Sequence, residues 1–125
     1  MPGVTLDAGG LIALDRNDRR VLVLLARARE TGATVTVPAT ALAQAIRRPD
    51  QQTRLARLIR QPTTDIANLD RVDATNVGRL LAASGTSDIA DAHVVICARR
   101  SAQPVATSDP ADLSALDPTI RLIAL

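Results

Sequence analysis

The sequence predicts a doubly wound α/β fold: a five-stranded parallel sheet in the order 3-2-1-4-5, with helices on both faces. Three observations lead there. Short apolar runs alternate with longer segments of helical period, the pattern of βαβ units. Hydrophobic residues make up 46% of 125 residues, enough to close one core and to make residues 1–125 a single domain. Gly32, Pro38, Pro49, Pro62 and Gly85 punctuate the runs, and no linker, repeat or low-complexity stretch interrupts them.

The first run, residues 4–6, is closed by Asp7 and Gly9–Gly10, and a short helix is expected over 11–16. A second helix starts at an Asn17–Asp18 cap and stops at Gly32, a suitable glycine for the position after the last turn. Residues 34–37 are largely β-branched, and Pro38 is placed to open a helix that runs to Arg48 before Pro49. Residues 51–60 read as helix, 64–67 as a third strand and 69–84 as a long helix ended by Gly85. The clearest helix is 87–100, with Ile89, His93, Ile96 and Cys97 expected on one side. A fourth strand over 105–107, a helix over 110–116 and a fifth strand over 120–123 complete the chain.

Composition narrows the chemistry. No residue is aromatic, so the core is aliphatic, and all fifteen basic residues are arginines. The absence of lysine excludes phosphoaspartate receivers and haloacid-dehalogenase-type phosphatases, which set a lysine against the phosphoryl group. Glu30 is the only glutamate against twelve aspartates, so carboxylate chemistry here uses short side chains. A net charge of +2 permits nucleic-acid contact without arguing for it. Cys97 stands alone, which rules out an internal disulfide and a cluster of cysteines around zinc. The start MPGVTLDAGG lacks the charge and apolar stretch of a signal peptide, and no run approaches a membrane span. A cytoplasmic protein is expected.

In an open parallel sheet, ligands bind beyond the carboxyl ends of the strands, where strand order reverses. Asp7 ends the first strand and Asp109 follows the fourth, while Asp88 and Asp91 lie in the first turn of the helix between them. With strands one and four adjacent, these acids converge. Converging carboxylates repel unless a proton or a cation neutralises them, and Mg²⁺ or Mn²⁺ suits oxygen ligands. Each acid taken alone is as good a helix cap as a ligand: Asp7 and Asp88 precede helices, and Asp109–Pro110 with Asp112 is a good helix start. Caps, however, need not gather at one rim.

The segments VTLDAGGLIAL, VPATALAQAIRR, TSDIADAHVVICARR and PVATSDPADLSAL resemble, in order and spacing, the four motif segments of PIN-domain proteins. The resemblance covers nearly the whole chain. It implies a doubly wound nuclease cutting RNA with Mg²⁺ or Mn²⁺. Small stand-alone members are mostly VapC-like toxins of toxin–antitoxin pairs, so a cognate antitoxin and a homodimer are implied too. Residue by residue, Asp7, Asp91 and Asp109 match the family's first, third and fourth acids. Asp88 and Asp112 fall where auxiliary acids occur, and Thr107 matches the hydroxyl residue that supports the metal shell. The departure is Gln44, where the family usually has glutamate. Glutamine keeps an oxygen for a metal-bound water but removes one charge. The alternative is therefore a PIN-like module with weakened or lost catalysis, acting by RNA or protein binding.

The remaining chemical residues read as structural. His93 and Cys97 are expected to pack in the core. Arg54, Arg57 and Arg60, with Arg47 and Arg48 nearby, form a stripe that is a solvated face first and a phosphate track second. Gly9–Gly10 lacks the spacing of a dinucleotide fingerprint. The aliphatic helix over 21–26 should leave surface for dimerisation.

Overall fold

The structure, a computed structural model, describes residues 3–125. Its strands are β1 (Val4–Leu6), β2 (Val35–Pro38), β3 (Thr64–Ala67), β4 (Val105–Thr107) and β5 (Leu122–Ala124). Its helices are α1 (Ala8–Asp15), α2 (Arg19–Thr31), α3 (Ala39–Ala45), α4 (Thr53–Arg60), α5 (Arg71–Ser84), α6 (Ile89–Ser101) and α7 (Pro110–Leu116). The strands form one sheet in the order β3-β2-β1-β4-β5, as the sequence predicts. Every pairing is parallel: Val4 lies opposite Val35, Thr5 opposite Val105 and Val105 opposite Leu122.

Parallel crossovers are right-handed. The connections β1→β2→β3 step one way across the sheet and β3→β4→β5 step back, so α1, α2 and α4 lie on one face and α5–α7 on the other, with α3 packed against both α1 and α6. In agreement, α1 packs against α2 and α4, while α6 packs against α5, α7 and the inner strands β1 and β2. Covered on both sides, β1, β2 and β4 are buried at every residue, which is why they read as continuous rather than alternating runs. The core between the layers is Leu, Val and Ala, with Leu6, Leu11, Val21, Val37, Leu55, Val94, Val95, Val105 and Leu113 almost fully enclosed.

Short polar side chains start four of the helices. Asp7, Asp18, Asp70 and Asp88 each accept a backbone N–H in the first turn of α1, α2, α5 and α6. Gly32 (φ 68°) and Gly85 (φ 69°) close α2 and α5 in the left-handed conformation that glycine adopts without strain.

Several element ends differ from expectation, each for a local reason. Because Asp7 caps Gly10, α1 begins at Ala8 and includes both glycines rather than starting at residue 11. Pro38 ends β2 opposite Ala67 and stands before α3, not inside it. α3 stops at Ala45 instead of Arg48 because the buried Gln52 amide takes over: its oxygen accepts from the Arg47 and Arg48 N–H groups, and its nitrogen donates to the Ala45 carbonyl. α4, α5 and α6 each start about two residues later than read, at or just after their caps. β5 starts at Leu122 rather than residue 120, since Asp117 holds Thr119 and Ile120 in a turn. Ile89, expected in line with His93, is 54% exposed at the first turn of α6.

Gly10 is required for space rather than for backbone freedom. A Cβ there would sit 2.8 Å from the Ala106 carbonyl oxygen of β4, whereas one on Gly78 of α5 meets nothing within 4 Å. Gly10→Ala should therefore cost about 1–3 kcal/mol by overpacking. Gly78→Ala should add about 0.5–1 kcal/mol by removing unfolded-state freedom. Urea unfolding followed by far-UV circular dichroism distinguishes the two signs.

Candidate metal centre

The cleft lies beyond the carboxyl ends of β1 and β4, where the connections leave the sheet in opposite directions. Asp7 follows the last residue of β1, Asp109 stands two residues past β4, and Asp88 and Asp91 open α6. The structure brings these four, with Asp112 of α7 and Gln44 of α3, into the lining of one cleft.

The buried Asp7 is the most constrained. Its Oδ1 accepts the Gly10 N–H at 2.7 Å, and its Oδ2 accepts the Thr107 hydroxyl at 2.5 Å. Thr107 in turn accepts the Asp109 N–H at 2.9 Å, so one buried hydroxyl ties the end of β1 to the segment that carries Asp109. Gly9 keeps the wall thin: a Cβ there would lie 2.2 Å from Ser108 Oγ.

The acids divide by how they are used. Asp7 and Asp88 do cap helices, Asp88 accepting the Asp91 N–H at 2.9 Å. Asp109 occupies the capping position of α7 without a side-chain cap bond. The carboxylates of Asp91, Asp109 and Asp112 have no hydrogen-bond or ion-pair partner among the described residues. Helix capping thus accounts for two of the five.

This crowding perturbs titration. Burial, then the neighbouring charges of Asp88, Asp7, Asp112 and Asp109, pushes the Asp91 carboxyl up to about 6. Burial also raises Asp7, against the lowering influence of its Thr107 and Gly10 hydrogen bonds. A half-buried carboxyl beside four others is relieved either by holding a proton or by a cation shared among them. Hard oxygen donors from three segments fit Mg²⁺ or Mn²⁺ better than a soft ion.

Arg16, Arg20 and Arg47 also line the cleft. Arg20 is tied to Asp18 at 3.0 Å, whereas Arg16 and Arg47 have no ion-pair partner among the described residues. Sequence reading missed Arg16, whose only signal was its place at the end of the helix that Asp7 begins. The arginine stripe divides: Arg47 reaches the cleft, while Arg54 and Arg57 line a separate groove with Leu22, Leu25 and Leu58. No single helix among the described residues is long and apolar enough to cross a membrane.

Solved structures share this architecture. FitAcB from Neisseria gonorrhoeae is 18% identical, with 96% of each chain covered and a TM-score of 0.63. FitAB bound to an IR36 DNA fragment is 15% identical over 97% of this chain and 94% of that one, with a TM-score of 0.66. VapBC2 from Rickettsia felis, bound to a DNA fragment from their promoter, is 12% identical over 98% of each chain, with a TM-score of 0.67. No family model matches the sequence, and no curated protein matches it. At these identities the likeness is one of fold, and the chain has the PIN-like fold of these neighbours.

Proposed function

We propose that this chain is a metal-dependent endoribonuclease, a VapC-like toxin that cleaves RNA phosphodiester bonds and is silenced by a cognate antitoxin. The observation that carries the reading is the meeting of Asp7, Asp91 and Asp109 in one cleft, with the last two left without a partner. The two-component names of the structural neighbours, FitAB and VapBC2, support a protein partner. Homodimerisation accords with aliphatic side chains left exposed at Val23, Val72 and Ile89.

In this reading Asp7, Asp91 and Asp109 would hold a hydrated Mg²⁺ or Mn²⁺, with Asp88 and Asp112 as further oxygen donors. When bound, such an ion supplies a more acidic water and positive charge beside a reacting phosphoryl group. The chain's own residues do the rest. Thr107 and Gly10 hold the Asp7 carboxylate in one orientation, so little reorganisation is needed as charge develops. Arg16 and Arg47 offer guanidinium forks at the lip for the RNA backbone. Gln44 presents a neutral amide oxygen that can hold a water.

Gln44 also favours the second reading, a PIN-like module with weakened or lost catalysis that binds RNA or protein. Mn²⁺-dependent cleavage of a mixed RNA substrate separates the two. Asp7→Asn keeps the oxygen that caps Gly10 but removes the charge and the acceptor of the Thr107 hydroxyl. It should lower cleavage at least about a hundredfold and cost about 1–3 kcal/mol of stability, read separately by urea unfolding. A wild-type protein that binds RNA and cuts none of it would select the second reading.

Gln44→Glu should tighten Mn²⁺ binding about three- to tenfold, a modest gain because the position is exposed and screened by solvent. Calorimetry with Mn²⁺ reads this directly, and an unchanged affinity would put residue 44 outside the site.

The acid cluster also sets a pH dependence for the metal-free protein. Asp91 is raised in the folded state, so its contribution to stability is full below the unfolded value near 4 and is lost as pH rises through about 6. Asp91→Asn should match the parent protein in chelator at pH 4.5 and exceed it increasingly up to pH 7.5. Thermal melts followed by circular dichroism at both pH values test the sign.

A further inference from the structure

His93 and Cys97 are both fully buried on α6, and Asp73, on α5, is 2% exposed. The side of α6 that bears them faces α5, away from the acidic cleft. One potential ligand atom from each of the three residues lies within 4.8 Å of the others. Two of those atoms are unsatisfied: Asp73 Oδ2 and His93 Nε2 are buried without a hydrogen-bond partner. They face each other at 3.5 Å. Tetrahedral zinc, with Zn–N and Zn–O of about 2.0–2.1 Å, separates such a pair by about 3.3 Å.

The groups behind these atoms are arranged as supports. His93 Nδ1 is 2.7 Å from the Thr40 hydroxyl of α3, a contact that leaves Nε2 turned toward Asp73. Arg100 donates to Asp73 Oδ1 at 2.6 Å and to Cys97 Sγ at 3.7 Å, which orients both groups and leaves Asp73 Oδ2 turned toward His93. A surface cleft lined by Asp73, Asn76, Ile96 and Arg100 comes up to Asp73 from between α5 and α6, while His93 and Cys97 lie behind it, fully buried.

We propose that Asp73, His93 and Cys97 form a second metal site, distinct from the acidic cleft, which takes Zn²⁺ and pins α5 to α6 with Thr40 orienting the imidazole. The mixed oxygen, nitrogen and sulfur donor set selects a borderline-soft ion over Mg²⁺. One cysteine suffices here because the other ligands come from a histidine and a carboxylate. Burial pushes the Cys97 thiol up to about 11, so the metal-free pocket holds a neutral thiol, and zinc displaces its proton on binding. The charges of Asp73 and the thiolate offset those of the ion, and Arg100, half exposed, keeps its charge against solvent.

The competing arrangement places the imidazole hydrogen on Nε2 toward Asp73, with the Thr40 hydroxyl donating to Nδ1. That pair needs no ion. Co²⁺ titration of the chelator-stripped protein decides between them, because a thiolate–cobalt absorption band falls in the near-ultraviolet, where a chain without Trp, Tyr or Phe is transparent. The proposal expects one equivalent of Co²⁺ with that band, displacement by Zn²⁺ but not Mg²⁺, full retention in Asp91→Asn and loss in Cys97→Ser. Should Cys97→Ser fail to fold, Thr40→Val, which keeps all three ligands, should weaken Zn²⁺ binding about tenfold. No band in the parent protein, a band that survives Cys97→Ser, or a zinc affinity unmoved by Thr40→Val would overturn it.

Discussion

Thr107 Oγ1 donates its hydrogen to Asp7 and accepts one from the Asp109 N–H, fully buried at the seam between β1 and β4. The cleft depends on this hydroxyl because parallel strands alone do not set where their trailing loops go. Asp7 lies at the end of the first strand and Asp109 beyond the fourth, a hundred residues away in sequence. The hydroxyl converts that separation into a fixed local arrangement. Gly10 completes it, since α1 can approach the Ala106 carbonyl only where no Cβ intervenes. A buried hydrogen-bonded group of this kind is costly to leave half satisfied, which keeps β1, β4 and α1 in one register.

The seam gathers negative charge. Asp7 is buried with its carboxyl raised, and Asp91 is raised further by the acids around it. A sequence optimised for stability alone would not place five aspartates at one rim, because two caps would serve the helix starts. The excess over capping is what carries the functional reading: Asp7 and Asp88 do structural work, and Asp91, Asp109 and Asp112 do none that the hydrogen bonds reveal. Aspartate also suits the geometry. Its short side chain keeps each carboxylate close to a backbone position that the fold has already set.

α6 serves both sides of this arrangement. Residues two apart on a helix point about 200° apart, so Asp91 faces the cleft while His93 faces α5. The helix is buried over most of its length against β1, β2 and α5, and its half-exposed arginines reach back to buried aspartates: Arg99 to Asp117 and Arg100 to Asp73. Anything that tightens α5 on α6 also stiffens the helix that presents Asp91.

The chain by itself determined the five strands, their parallel order and the existence of the seven helices, while most helix starts moved by one to three residues to meet their caps. Those features depend on local signals: continuous apolar runs for strands buried on both faces, aspartates before helices, and glycine at Gly32 and Gly85. The cleft acids were legible for the same reason, since strand ends in a doubly wound sheet identify their rim. The end of α3 was not, because Gln52, lying beyond Pro49, replaces the helical bonds that Arg47 and Arg48 would have made. Arg16 entered the cleft unannounced, since a helix-ending arginine carries no mark of the surface it will face. The Asp73–His93–Cys97 group was invisible in sequence. Its carboxylate lies twenty residues from the imidazole on another helix, and each residue alone is an ordinary packing position. Only the docking of α5 on α6 brings them together, because side-chain chemistry at a helix interface is set by which faces meet.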